Sequence, residues 1–218
     1  MEALCYIAGA GGCSGMSIER GEHDMVIAAD GGYASLEAAG IVPDIAVGDF
    51  DSLGFVPAGV EVLRHPPEKD DTDMMLAICK GLELGYSRFL IYGGLGGRFD
   101  HSMANIQSLC YLSRRGARGW LWGDGTAATA VTGGRIDFPG KCRGMFSVFS
   151  LGGRAEGVCE SGSKYTLDGD ALDFDYPLGV SNEFTGEPVC ISAERGTLAV
   201  IWTCSAAELE QMIRDGHC

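Results

Sequence analysis

Histidine is scarce in this chain of 218 residues: His23, His65, His101 and His217 stand singly along it. A dinuclear hydrolase centre, which draws on clustered imidazoles, is therefore not expected. Positive charge is also short. Sixteen Lys and Arg face 30 Asp and Glu, for a net charge of -14. No basic stripe is available to displace counterions from phosphate, so a nucleic-acid partner is not expected. No apolar run approaches the roughly 18 residues that a membrane-spanning helix needs, and no membrane partner is expected. The N-terminus has no basic stretch followed by a long apolar one, which argues against a signal peptide. Nine cysteines are present, but the count is odd, the spacings are irregular, and no Cys-x-x-Cys pair occurs. Several of them (Cys5, Cys79, Cys110, Cys190, Cys204) sit in apolar runs, where cysteine behaves as a small hydrophobe. A reduced, cytoplasmic setting is the expectation.

What remains is an ordinary globule, 46% apolar and 21% charged, long enough to bury a core as one large domain or two small ones. Up to about residue 116, short apolar runs alternate with amphipathic ones. Residues 4–8, 25–29, 45–47, 60–63 and 89–92 are expected as strands. Residues 33–39, 72–84 and 101–115 are expected as helices, the first two stopped by Gly40 and Gly85. Such alternation implies a mainly parallel sheet covered on both faces. Beyond Gly116 glycine and β-formers dominate. Runs at 120–123, 127–131, 145–151, 163–167, 171–174, 188–192 and 197–203 have the rhythm of an antiparallel sandwich or barrel. One amphipathic helix is expected over 206–214. No internal repeat or low-complexity linker is present. The expected division is an α/β domain over 1–133 and a β-sandwich over 134–218.

Four acid-bearing clusters stand out: Asp30-Gly31-Gly32, Gly48-Asp49-Phe50-Asp51-Ser52, Lys69-Asp70-Asp71-Thr72-Asp73 and Gly93-Gly94-Leu95-Gly96-Gly97-Arg98-Phe99-Asp100-His101. Each follows an apolar run or opens a helix-like one, where an open α/β sheet presents its strand ends. Carboxylates gathered there repel one another unless a cation such as magnesium neutralises them. Each cluster also has a bland reading. If the strand stays extended past Gly48, Asp49 and Asp51 point to one side; otherwise they cap a turn. Asp71 and Asp73 converge only if Asp71 precedes the helix and Asp73 lies in its first turn, and one acid suffices for a cap. The glycines at 93–97 let backbone approach a phosphate, and Asn105, one turn beyond His101, is expected to face the same site.

In order and spacing these motifs resemble those of the thiamine pyrophosphokinase family. The resemblance continues through Gly-Gly-Arg-x-Asp-His-x-x-Ala-Asn and, in the second half, Lys164-Tyr165 and the run from Pro177 through Ser181-Asn182 to Phe184. It implies an α/β domain followed by a β-sandwich, and a homodimer with the active site between subunits. The reaction implied is pyrophosphate transfer from ATP to the thiamine hydroxyl, giving thiamine diphosphate and AMP. Carried onto this sequence, Asp71, Asp73 and Asp100 are magnesium ligands. Asp49 and Asp51 line the same cavity as catalytic residues, one of them to accept the hydroxyl proton. Asp30, Gly31, Gly32, Lys69, Thr72, Arg98, His101 and Asn105 hold the nucleotide, and Ser181 and Asn182 touch the thiamine pyrimidine. A pyrophosphokinase acting on a hydroxymethylpterin would share the acidic half without needing Ser181-Asn182. A non-catalytic thiamine or nucleotide sensor would tolerate loss of some of the acids.

Overall fold

The computed structural model describes residues 2–51, 53–64 and 70–218. The chain divides into two compact units, one of residues 1–108 and 119–124, the other of 109–118 and 125–218. Both parallel and antiparallel strands occur, and the architecture is mixed α/β.

The first unit holds β1 (Cys5–Ala8), β2 (Met25–Ala29), α1 (Gly32–Ala38), β3 (Ile45–Gly48), β4 (Glu61–Arg64), α2 (Asp73–Glu83), β5 (Arg88–Tyr92), the start of α3 (Phe99–Ser113) and β6 (Arg118–Gly123). Its strands lie in the order β6-β5-β1-β2-β3-β4. The pairs β5·β1, β1·β2, β2·β3 and β3·β4 are parallel. All four residues of β1 are buried. A parallel strand covered on both faces has no solvent side, so its sequence is continuously apolar. The edge strand β4 is half-exposed and carries Glu61 and Arg64. Helix α2 buries Met74, Ala77, Ile78 and Gly81. Gly81 admits Phe89 of β5 so closely that a Cβ there would stand 2.5 Å from the ring.

The strand order sets the position of a site. From β1 the sheet grows through β2 and β3 to β4, then resumes on the other side of β1 with β5 and β6. The parallel strands all end on one edge, and the reversal falls between β1 and β5. Loops leave a crevice at such a switch point.

The second unit holds β7 (Thr126–Phe138), β8 (Met145–Ser150), β9 (Ala155–Ser161), β10 (Leu167–Leu172), β11 (Asn182–Glu183), β12 (Val189–Thr203) and α4 (Ala206–Arg214). Every pairing among these strands is antiparallel. One side of β12 pairs with β7 along nearly its whole length. Its other side pairs with β9 through residues 190–195 and with β8 through 198–202. The register breaks between Ala193 and Thr197, where Gly196 takes φ +90. Phe138, Phe146, Phe184 and Trp202 pack in the interior with ring centroids 4.7–6.5 Å apart. The two runs expected at 188–192 and 197–203 are therefore one bulged strand. The runs expected at 163–167 and 171–174 are replaced by β10, and β9 occupies residues 155–161, where the sequence predicts no strand.

Candidate active site at the strand ends

The cluster after β2 begins with Asp30, which takes φ +45. Its N–H donates to the Val47 carbonyl at 2.8 Å, tying the ends of β2 and β3 together. Gly32 then opens α1 against β1, where a Cβ would lie 1.9 Å from the Ala8 carbonyl oxygen. No side chain fits there. Gly48 similarly meets Asp30, with a hypothetical Cβ 3.2 Å from its Cα.

After β3 the extended course does not continue. Phe50 takes φ +62 and buries its ring, while Asp49 Oδ1 accepts from the Asp51 N–H at 3.0 Å. Asp49 thus closes a turn of the kind short acids favour, and the alternation that would have aimed both carboxylates to one side is broken. Asp51 is exposed. Ser52 lies outside the described residues.

Lys69 also lies outside them. Asp71 precedes α2, Thr72 is its N-cap with Oγ1 accepting from Met75 N at 3.1 Å, and Asp73 is its first residue. The acid in the first turn complements the helix dipole. Although β4 lies three strands from β1, α2 returns across the sheet. Met74 Cε sits 2.6 Å from where a Gly9 Cβ would be, and Ser108 of α3 donates to Met75 Sδ at 3.8 Å. The start of α2 therefore stands beside β1 and α3.

The fourth cluster follows β5. Gly93 donates to the Trp122 carbonyl at 3.1 Å and takes φ +67. Asn105, buried on α3, donates Nδ2 to the Gly94 carbonyl at 2.8 Å. It pins the glycine loop and does not offer that amide outward. Arg98 grips Asp100 through two hydrogen bonds, Nε to Oδ1 at 3.2 Å and Nη2 to Oδ2 at 2.6 Å. The Arg98 guanidinium holds the Asp100 carboxyl below the usual carboxylate range. His101 is exposed in the first turn of α3.

Two groups lie beside the site and outside the four acid-bearing clusters. The loop after β1 packs its glycines onto the loop after β5: a Cβ on Gly11 would stand 2.4 Å from the Gly93 carbonyl oxygen. Cys13 Sγ lies 3.4 Å from the Gly11 carbonyl, and burial pushes its thiol up. Asp124, at the end of β6 with φ +49, has its carboxylate beside both loops, 2.5 Å from a Cβ on Gly96 and 3.2 Å from one on Gly12. The run Gly9-Ala10-Gly11-Gly12 straight after a buried strand was the available signal. Among the described residues, no three His, Cys, Asp or Glu side chains are gathered as a ready metal cluster. The acids are distributed over separate elements at the strand ends.

In the second unit, Ser181 is exposed at φ +65 with its N–H held by Ser147 Oγ at 3.1 Å. Asn182 is buried. Its Nδ2 donates to Glu160 and to the Tyr165 carbonyl, both at 2.7 Å, and its Oδ1 accepts from Tyr165 N at 3.0 Å. Lys164 pairs with Glu183 at 2.7 Å.

Parallel strands with glycine and acid loops at their carboxyl edge define an α/β protein of the kind that holds phosphorylated ligands there. The sequence matches the catalytic domain of thiamin pyrophosphokinase over residues 20–121 and the vitamin B1 binding domain of the same enzyme over 135–198. The chain belongs to the thiamin pyrophosphokinase family, a family of enzymes. Thiamine pyrophosphokinase of Bacillus subtilis is 39% identical over 94 residues, a stretch covering 40% of this chain and 44% of that protein. The chain thus aligns with less than half the length of that relative. Thiamin pyrophosphokinase 1 of Caenorhabditis elegans is 26% identical over 69% of this chain and 66% of that protein. The crystal structure of the Bacillus subtilis enzyme superposes with a TM-score of 0.82 at 25% identity, covering 93% of this chain and 99% of that one.

Proposed function

We propose that this chain is a thiamine pyrophosphokinase, transferring pyrophosphate from ATP to the thiamine hydroxyl and releasing thiamine diphosphate and AMP. The observation that carries this reading is the close packing of the loops that follow β1 and β5, at the switch point of the sheet. There Gly93 meets Gly9 and Gly11 backbone to backbone, and acids stand before and within α2 and at the start of α3. The N–H groups of these loops suit phosphate oxygens. Asp30, Gly31, Gly32, Thr72, Arg98, His101 and Asn105 hold or frame the nucleotide, Lys69 completes the set, and Asp49 and Asp51 line the same edge.

The donor chemistry fits magnesium, since Asp71, Asp73 and Asp100 each offer hard carboxylate oxygen. Asp71, Asp73 and Asp100 would hold it, and when bound it supplies charge neutralisation for the polyphosphate. Asp100 pairs with Arg98; were Asp100 to hold a cation, it would leave that pair and the guanidinium would be available to a phosphate. Catalysis by this chain's own residues is then positioning and electrostatics, with the thiamine oxygen aligned on the β-phosphorus.

Residues 1–133 handle ATP and 134–218 form a β-sandwich that presents the Ser181-Asn182 segment to thiamine, Ser181 at the surface and the buried Asn182 behind it. Support for the sandwich comes from β12, which changes partners from β9 to β8 at its bulge, the device by which a strand turns a corner between sheets. The protein works as a cytoplasmic homodimer with its active site between subunits. Phe174, Tyr176 and Leu178, close together in the chain, are all more than half exposed, the kind of apolar surface that marks an interface. ATP labelled at the γ-phosphate separates the reading from its rivals: the label is expected in thiamine diphosphate, with AMP in equal amount. ADP with thiamine monophosphate, or turnover of a hydroxymethylpterin instead, overturns it.

A further inference from the structure

The least expected side chain of the second unit is a glutamate in its interior. Glu160, on β9, is 2% exposed, and glutamate at that depth is rare unless it is paired. Its Oε2 accepts from Asn182 Nδ2 at 2.7 Å, while Oε1 is buried with no hydrogen-bond partner among the described residues. Burial pushes the carboxyl up, against the pull of the Asn182 hydrogen bond. An apolar residue of similar volume would cost less to bury. What the carboxyl adds is a fixed acceptor.

That acceptor decides how Asn182 sits. An amide turned over would set Oδ1 against Glu160 Oε2 and the Tyr165 carbonyl, two acceptors that now receive Nδ2. Held in the observed sense, Asn182 also accepts from Tyr165 N at 3.0 Å and Glu183 N at 2.8 Å, and its Nδ2 reaches Ser163 Oγ at 3.3 Å. One buried side chain thereby fixes the backbone at 163–165 and at 183. The first stretch carries Lys164 and Tyr165, and the second follows Ser181 by two residues, with the Ser181 N–H anchored separately on Ser147.

We infer that Glu160 is a positioning residue: through Asn182 it sets Lys164, Tyr165 and Ser181 in the arrangement that receives thiamine, an assignment that rests on the function proposed above. Glu160 touches no substrate itself. The test is steady-state kinetics on Glu160→Gln and Glu160→Leu beside the wild type, varying thiamine and ATP separately. Gln keeps the acceptor and is expected to match the wild type. Leu removes it and is expected to raise KM for thiamine by about tenfold, with KM for ATP and kcat within about twofold. If Leu does not fold, Glu160→Asp, which draws the acceptor back by one methylene, replaces it in the same comparison. An unchanged thiamine KM in the Leu or Asp variant overturns the inference. So does a KM for ATP that rises in step, or a Gln variant no better than the others. A wild type that turns over no thiamine overturns the proposed function and the inference with it; an active wild type with an indifferent variant overturns the inference alone.

Discussion

Single carboxyls in this protein have opposite fates. Asp100 is exposed and held low by Arg98, whereas Glu160 is buried and pushed up. If Asp100 and Asp71 hold the cation, Asp100→Asn and Asp71→Asn are expected to lose nearly all turnover. Each removes several kcal/mol of transition-state stabilisation, with the circular dichroism spectrum unchanged; near-normal rates in either folded variant would remove that residue from the metal assignment. Glu160 leads to a different measurement. Its folded carboxyl titrates above its unfolded value, so between those two values the unfolded chain is ionised and the folded one is not. Stability is therefore fully present below the ordinary glutamate range and declines as pH rises through the raised value. Glu160→Gln is expected to melt higher than the wild type at neutral pH, with the gap closing toward pH 4 or so. A gap independent of pH would mean that the carboxyl does not titrate as argued.

At the scale of elements, the helices are the most readable. Residues 206–214 were expected as a helix, and Ser205 caps α4 there in a reciprocal box with Glu208. Ser205→Ala is expected to cost about 1 kcal/mol, seen as a lower melting temperature. The parallel strands were legible for a related reason: each is a short apolar run between polar loops, and the sheet leaves it no wet face. The antiparallel strands were harder. Gly133, Gly157 and Gly196 look like turn residues but sit inside β7, β9 and β12, where positive φ makes a bulge or irregularity rather than an end. The acid clusters were visible as residue types, but the loop at 9–13 was not, because a glycine's role depends on what approaches it. Here that is the Gly93 carbonyl, more than eighty positions away. Local sequence also gave no sign that Phe50 would turn left-handed to bury its ring, which separated Asp49 from Asp51.

At the scale of the whole molecule, the exposed aromatic patch of the second unit is the feature the proposed dimer must cover. A Phe174→Glu, Tyr176→Glu double variant is expected to sediment as a monomer and to lose thiamine turnover, because both residues are about 70% exposed and absent from the chain's own core. A double variant that remains dimeric would exclude this face as the contact. Strand β12 has a consequence of another kind. It is the common partner of β7, β8 and β9, yet it follows all three along the chain. At about 5–20 residues per second of synthesis, β7 waits several seconds for Leu198 to arrive opposite Val131. Until then β7, β8 and β9 each lie with one edge open. The vulnerable moment for this protein is therefore during its making, when an unpaired β7 is free to take the strand of a neighbouring nascent chain in place of its own.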